Sequence, residues 1–176
     1  MIDFDDCLRD GFIQKMAPSM NQAKETMKKA LVLLKESKMA LKANAPNSAV
    51  MAAYSAVLDA ARSLLFKDGY RERSHVCVVK FLEEKYSDKL SASEIALFDQ
   101  YRDKRHKTMY SGSYYMSPED AEKVILFAEK FIEKLIKLLG VPKEDLLLPD
   151  PINHEIVELK KSEKSSSGIK ILAPDD

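Results

Sequence analysis

Tryptophan is absent from this sequence, glycine and cysteine are scarce, and neither sign of charge is in excess. With only five glycines, and with many Ala, Leu, Lys and Glu residues, the composition favours helices over sheets. No stretch shows an alternation long enough to predict a strand. A chain of 176 residues can form one domain with a substantial core, and it is too short for two independent domains to be expected.

The two cysteines, Cys7 and Cys77, are far apart and show neither CxxC nor Cys/His spacing. The sequence therefore predicts free structural thiols rather than a disulfide or a zinc site. No Asp, Glu or His cluster has ligand spacing, so we expect neither a metal nor a cofactor. No apolar run reaches the roughly 20 residues that span a bilayer. Residues 1–6 carry three Asp and no basic residue, so the start of the sequence does not resemble a secretory signal. We expect a cytoplasmic protein that does not contact a membrane.

The formal net charge is zero, but the charge is unevenly distributed. Residues 141–176 contain five Lys and eight Asp or Glu, a net charge of −3, which leaves +3 in residues 1–140. Residues 101–110 alone carry four basic side chains against one acidic side chain. Any site that binds an anion is therefore expected in this short segment.

Apolar residues at spacings of three and four, with capping residues at the ends of each run, predict five helices. These run from Ser19 or Asn21 to Ala43, from Asn47 or Ser48 to Asp68, from Ser74 to Tyr86, from Ser91 or Ser93 to about Ser111, and from Ser117 to Gly140. The predicted fold is all-α, an up-and-down bundle of about five helices in residues 1–140. Residues 141–176 are predicted to form an extended or partly disordered tail, in which Leu146, Leu147 and Leu148 offer a docking contact to the body.

The fourth predicted helix carries an unusual pair, Arg102 and His106, which are four residues apart. At about 100° per residue, both fall with Ile95, Phe98 and Met109 within an arc of roughly 80°. The pair is therefore expected to continue the buried stripe, where a polar side chain costs free energy unless it has a partner. The neighbouring Arg105 is expected to point elsewhere.

Histidine and arginine together are sufficient for RNA cleavage without a metal. A histidine exchanges protons with the ribose 2′-hydroxyl and the leaving oxygen, while an arginine binds the phosphate. Lys104, Arg105 and Lys107 would attract the RNA backbone, with the polar Asp103 beside them. An interfacial or solvated salt-bridging pair is the alternative for Arg102 and His106.

Four segments of the chain carry a resemblance to a known family. Residues 53–65, 69–75, 101–106 and 117–131 together resemble the HEPN (higher eukaryotes and prokaryotes nucleotide-binding) domain family, in particular its small stand-alone prokaryotic branch. The resemblance implies a helical bundle that forms a homodimer, with the Arg/His helices of two subunits facing each other in a composite ribonuclease site. It also implies a toxin whose antitoxin partner is a minimal nucleotidyltransferase.

The resemblance also assigns residues. The family motif is an arginine, a polar residue and a histidine after four to six intervening residues, which corresponds here to Arg102, Asp103 and His106 with three intervening residues. Tyr110 is the nearest counterpart of the tyrosine that such antitoxins modify with a nucleotide. The competing hypothesis is a non-catalytic HEPN module that binds a nucleotide or a nucleotidyltransferase.

Three further polar side chains lie outside this motif. His75, near Arg71 and Arg73, is expected to pack and cap a helix rather than to bind phosphate. Tyr54 and Arg62 lie at helical spacing, which is more typical of core residues than of a nucleotide pocket.

Overall fold

The structure is a computed structural model, and it describes residues 2–110 and 115–147. Six α-helices and one pair of short strands make up most of these residues. In chain order the elements are α1 (Phe4–Arg9), β1 (Ile13–Lys15), α2 (Met20–Lys42), α3 (Pro46–Asp68), β2 (Tyr70–Glu72), α4 (His75–Tyr86), α5 (Ala92–Tyr110) and α6 (Pro118–Leu139), followed by a 3₁₀ helix (Lys143–Leu146). The prediction of an all-α fold is confirmed.

The helices begin at capping residues that the sequence identifies. Ser19 accepts a hydrogen bond from the Gln22 N–H at 3.3 Å, and Ser117 accepts one from the Asp120 N–H at 3.1 Å. The start of α3 differs from the prediction, because Pro46 occupies its first position and the preceding residue makes no side-chain cap. Asn47, one of the two predicted caps, instead accepts a hydrogen bond from the Met116 N–H at 2.8 Å and so ties α3 to the segment before α6.

Helix α3 is the centre of the bundle. It packs along α2 and α6, and it also contacts α4 and α5. By length and composition α3 could cross a membrane, but 72% of its apolar stretch is buried inside the fold. A core helix of a bundle is expected to be apolar on all sides for this reason.

The strand pair was not predicted from the sequence. β1 and β2 pair antiparallel, with Ile13 opposite Glu72 and Lys15 opposite Tyr70. Each strand has three residues, too few for alternation to be detected. The pair brings the N-terminal segment against the connection between α3 and α4, where Met16 N–H donates to the Gly69 carbonyl at 2.9 Å.

The prediction of free thiols is wrong. Cys7 on α1 and Cys77 on α4 form a disulfide with a Cα to Cα distance of 5.8 Å, and both residues are fully buried. The 70 residues that separate them gave no local spacing signal, because it is the packing of α1 against α4 that brings the two sulfurs together.

After α6 the described chain remains packed as far as Leu146. Leu146 is buried, and Asp145 pairs with Lys24 of α2 at 2.6 Å, whereas Leu147 is 70% exposed. The division of the chain at residue 140 stays a prediction. Leu148 and the rest of the predicted tail lie outside the described residues.

Candidate functional site

Helix α5 packs against the bundle through a narrow, mostly aromatic stripe. Its buried residues are Ile95, Phe98 and Tyr101. The Phe98 ring lies 5.9 Å from that of Tyr54 on α3, and the Tyr101 ring lies 5.1 Å from that of Phe127 on α6. These contacts fix the rotation of α5, and so they determine which of its basic residues face the protein.

Arg102 lies at the edge of this stripe, one turn after Phe98. Its side chain is 28% exposed, and its Nε donates to Oδ1 of Asp99 at 2.7 Å. The two terminal nitrogens of the guanidinium have no hydrogen-bond partner in the part of the chain that the structure describes. Arg102 is therefore held in place through one nitrogen, and the other two bond to no described residue.

The expectation that His106 continues the buried stripe is wrong for the single protomer. His106 is exposed, and its ring packs against that of Tyr110 with a centroid distance of 4.7 Å. Met109, which faces the centre of the stripe, is also 41% exposed. Of the predicted stripe, Ile95 and Phe98 are buried and Arg102 is half-buried, whereas His106 and Met109 are exposed in the described part of the chain.

Arg105 was expected to point in a different direction from its neighbour His106; it does so, and it points towards the protein. It follows Phe98 by seven residues, which places it within about 20° of Phe98 around the helix, whereas His106 lies about 80° away. Arg105 is accordingly half-buried and His106 is exposed. Of the two adjacent residues, Arg105 is the one that faces the protein.

The other predicted substrate contacts lie at the outer face of α5. Lys104 is half-buried with its Nζ 5.7 Å from the centre of the Tyr101 ring. Asp103 and Lys107 are exposed and pair with each other at 3.5 Å. Tyr110 is 67% exposed, so its ring is accessible to a large partner.

A second polar group lies on the inner side of α5. The hydroxyl of Tyr54, which is 1% exposed, is 3.1 Å from Nδ1 of the half-buried His75. Burial raises the pKa of Tyr54 to about 12, although the positive charges of Arg102 and Arg105 act in the opposite direction. Burial also lowers the pKa of His75, and the charge of Arg62 adds to this effect.

Sequence reasoning assigned Tyr54 and His75 to packing and so missed that they form a pair. The only signal was the position of His75 at a helix start, which does not identify its partner. The third residue, Arg62, donates from Nε to Glu72 at 2.7 Å and from a terminal nitrogen to Asp59 at 2.8 Å. Arg62 therefore has a structural role.

The arrangement of potential metal ligands offers no metal centre in residues 2–110 and 115–147. Within these ranges no three His, Cys, Asp or Glu side chains are placed to hold a metal ion together.

Comparison with known proteins places the chain in a family. No curated protein matches the sequence. The family model described as HEPN domain matches residues 23–139, which is more than half of the chain and extends from α2 to the end of α6. The matched range includes the four segments that carry the resemblance in the sequence. The chain therefore belongs to the HEPN domain family.

Proposed function

We propose that the protein is an endoribonuclease that cleaves RNA without a metal ion. His106 takes the proton from a ribose 2′-hydroxyl, whose oxygen attacks the adjacent phosphate, and an imidazolium returns a proton to the leaving 5′-oxygen. Arg102 binds the phosphate and stabilises the charge that develops on it. The products are a 2′,3′-cyclic phosphate and a 5′-hydroxyl end.

One observation supports this proposal above the others. α5 presents Arg102 and His106 one turn apart, with two nitrogens of Arg102 that bond to no described residue and with His106 exposed. Membership of the HEPN family adds to it, since the family includes ribonucleases and toxins. Lys104, Arg105 and Lys107 supply the positive charge for the RNA backbone, and Asp103 orients Lys107.

The working form is proposed to be a homodimer in which the α5 helices of two protomers face each other. The exposed end of α5 supports this, because Met109 is 41% and Tyr110 67% exposed there. A second protomer would cover these apolar side chains and bring a second His106 towards the first. Light scattering over a range of concentrations is expected to give twice the protomer mass, and a monomer at every concentration would contradict the dimer.

We further propose that the protein is a cytoplasmic toxin whose antitoxin is a minimal nucleotidyltransferase. Tyr110 is the proposed acceptor, because its ring is exposed beside His106, where an attached nucleotide would block RNA. The test is to coexpress the nucleotidyltransferase encoded beside this gene and to weigh the purified protein. Addition of a nucleotide mass that is lost in Tyr110→Phe supports the proposal, and an unchanged mass contradicts it.

The competing function is a non-catalytic module that binds a nucleotide or a nucleotidyltransferase. The ion pair between Arg102 and Asp99 favours it, because Arg102 already has a counter-ion in the absence of a substrate. In this case Arg102 and His106 would contact a ligand and catalyse nothing.

RNA cleavage in excess EDTA distinguishes the two functions. The wild-type protein, His106→Ala and Arg102→Ala are incubated with single-stranded and structured RNA, and the product ends are analysed. Arg9→Ala, which removes a 67% exposed guanidinium on α1, is the matched control for Arg102→Ala. Cleavage that survives EDTA, leaves cyclic phosphates and disappears only in the two site variants supports the ribonuclease. Intact RNA together with tight nucleotide binding supports the module.

A further inference from the structure

The hydrogen bond between Tyr54 and His75 determines which nitrogen of His75 faces outward. A buried hydroxyl that fails to donate its proton costs about 1–3 kcal/mol. His75 Nδ1, at 3.1 Å, is the partner of the Tyr54 hydroxyl within the described residues. The hydroxyl therefore donates to Nδ1, which must be unprotonated to accept. The proton of the neutral imidazole is then on Nε2, so His75 presents an N–H donor away from Tyr54.

Two guanidinium groups lie on the side of α5 that faces Tyr54. Arg102 and Arg105 follow Phe98 by one and two turns of α5, and the Phe98 ring contacts Tyr54 at 5.9 Å. Both arginines are half-buried. Their positive charges act on both members of the pair, since each charge acts to lower the pKa of Tyr54 and of His75.

Three carboxylates in this region pair with two of its three arginines. Glu72 and Asp59 bind Arg62, and Asp99 binds Arg102. Arg105 forms no ion pair with any residue that the structure describes, although its side chain is partly withdrawn from water. A half-buried guanidinium that pairs with no described carboxylate, on the same side of α5 as the Tyr54–His75 pair, is a position that an anion would complete.

We propose that His75, Arg102 and Arg105 form a phosphate-binding site on the inner side of α5, in which Tyr54 is a positioning residue that holds the imidazole in the donor tautomer. The site is complete within one protomer and uses neither His106 nor Tyr110. The site extends the proposed function by giving the RNA a second phosphate contact, and Arg102 lies between this contact and the cleavage centre. The assignment of RNA as the ligand rests on the proposed function.

Nuclear magnetic resonance can test the site directly. Long-range ¹H–¹⁵N spectra report the tautomer of each imidazole, and His75→Gln assigns the signal of His75. Inorganic phosphate, adenosine 5′-monophosphate and a short single-stranded RNA are titrated separately. Inorganic phosphate is expected to move the His75 Nε2 signal with saturation. Tighter binding of the RNA than of free phosphate would identify the polynucleotide as the source of the phosphate.

Variants identify the residues involved. Arg105→Gln is expected to weaken phosphate binding by about tenfold, the loss expected for one charged hydrogen bond. Lys137→Gln removes an equal charge from a 70% exposed position on α6 and is expected to leave binding unchanged. Tyr54→Phe keeps the buried ring, and it is expected to convert His75 to a mixture of tautomers and to weaken binding less than Arg105→Gln does.

The outcomes separate this site from the proposed cleavage. Phosphate that leaves the His75 signal unmoved, or that binds equally to wild-type protein and Arg105→Gln, overturns the site even if RNA is cleaved. Saturable binding that His106→Ala retains and Arg105→Gln weakens supports the site even if the wild-type protein cleaves no RNA.

Discussion

Arg62 and Glu72 join α3 to β2 through two contacts to one carboxylate oxygen, from Nε at 2.7 Å and from a terminal nitrogen at 2.5 Å. The side chain of Glu72 is only 7% exposed, and that of Asp59, the other partner of Arg62, is 6% exposed. Two buried carboxylates therefore depend on one guanidinium. Removing one member of such a group leaves a charge without compensation, which costs more than the group contributes when complete.

Arg62→Met is accordingly expected to lower the free energy of unfolding by about 3 kcal/mol, because Glu72 loses the guanidinium that binds it and Asp59 keeps only Lys29 at 3.3 Å. Urea unfolding followed by circular dichroism measures the change. Arg9→Met removes a 67% exposed guanidinium and is expected to change stability by less than about 0.5 kcal/mol. Equal stability of the two variants would show that the Arg62 group is not structural.

His75 is expected to make the fold sensitive to acid. Burial first, and then the charge of Arg62, lower its pKa in the folded state below the value of about 6.5 in the unfolded chain. The unfolded chain therefore binds a proton first as the pH falls, and the folded state loses stability below about pH 6.5 until His75 is protonated there too. His75→Gln should show a smaller loss of stability between pH 7 and pH 5 than the wild-type protein in matched urea titrations. An identical slope in both proteins would exclude His75 as the origin.

The disulfide between Cys7 and Cys77 is expected to stabilise the protein substantially. Closing a loop across a sequence separation of 70 residues is worth about 4 kcal/mol in the chain-entropy description. A reducing agent should therefore lower the unfolding midpoint of the wild-type protein and leave that of Cys7→Ala/Cys77→Ala unchanged. Because disulfides are uncommon in cytosolic proteins, the proposed cytoplasmic location requires this bond to resist cellular thiols, and its complete burial provides a physical reason for such resistance. A Cys7→Ala/Cys77→Ala protein with the same unfolding midpoint as the oxidised wild-type protein would contradict the stabilising role.

Five of the six described α-helices, all except α1, were predictable from the sequence because their signals are local. Ser19, Ser74 and Ser117 precede apolar residues at helical spacing, and Gly69 and Gly140 follow the last turns of α3 and α6. Each of these signals depends on residues within a few positions of one another. The structure therefore places the five predicted helices close to the expected limits.

The features that the sequence did not predict depend on contacts between distant segments. The disulfide and the strand pair each join residues more than fifty positions apart. In the candidate site, periodicity located the face of α5, but it did not give the width of the buried part of that face. The predicted burial was therefore correct for Ile95 and Phe98 and wrong for His106, which lies about 80° around the helix from Phe98.

Gly69 is expected to tolerate no side chain. Its φ of 80° lies in the left-handed region, and a Cβ there would lie 2.8 Å from the carbonyl oxygen of Met16. Gly140 has a similar φ of 74° at the end of α6, but a Cβ at this position would meet no atom within 4 Å. Gly140→Ala should therefore lower the free energy of unfolding only by the cost of a left-handed backbone conformation, about 1–2 kcal/mol. Gly69→Ala should lower the free energy of unfolding by more than this, because the carbonyl of Met16 must move. The hydrogen bond from the Met16 N–H to the Gly69 carbonyl would then be strained. Equal unfolding midpoints in urea would show that the segment around Met16 yields freely and does not anchor the N-terminal strand.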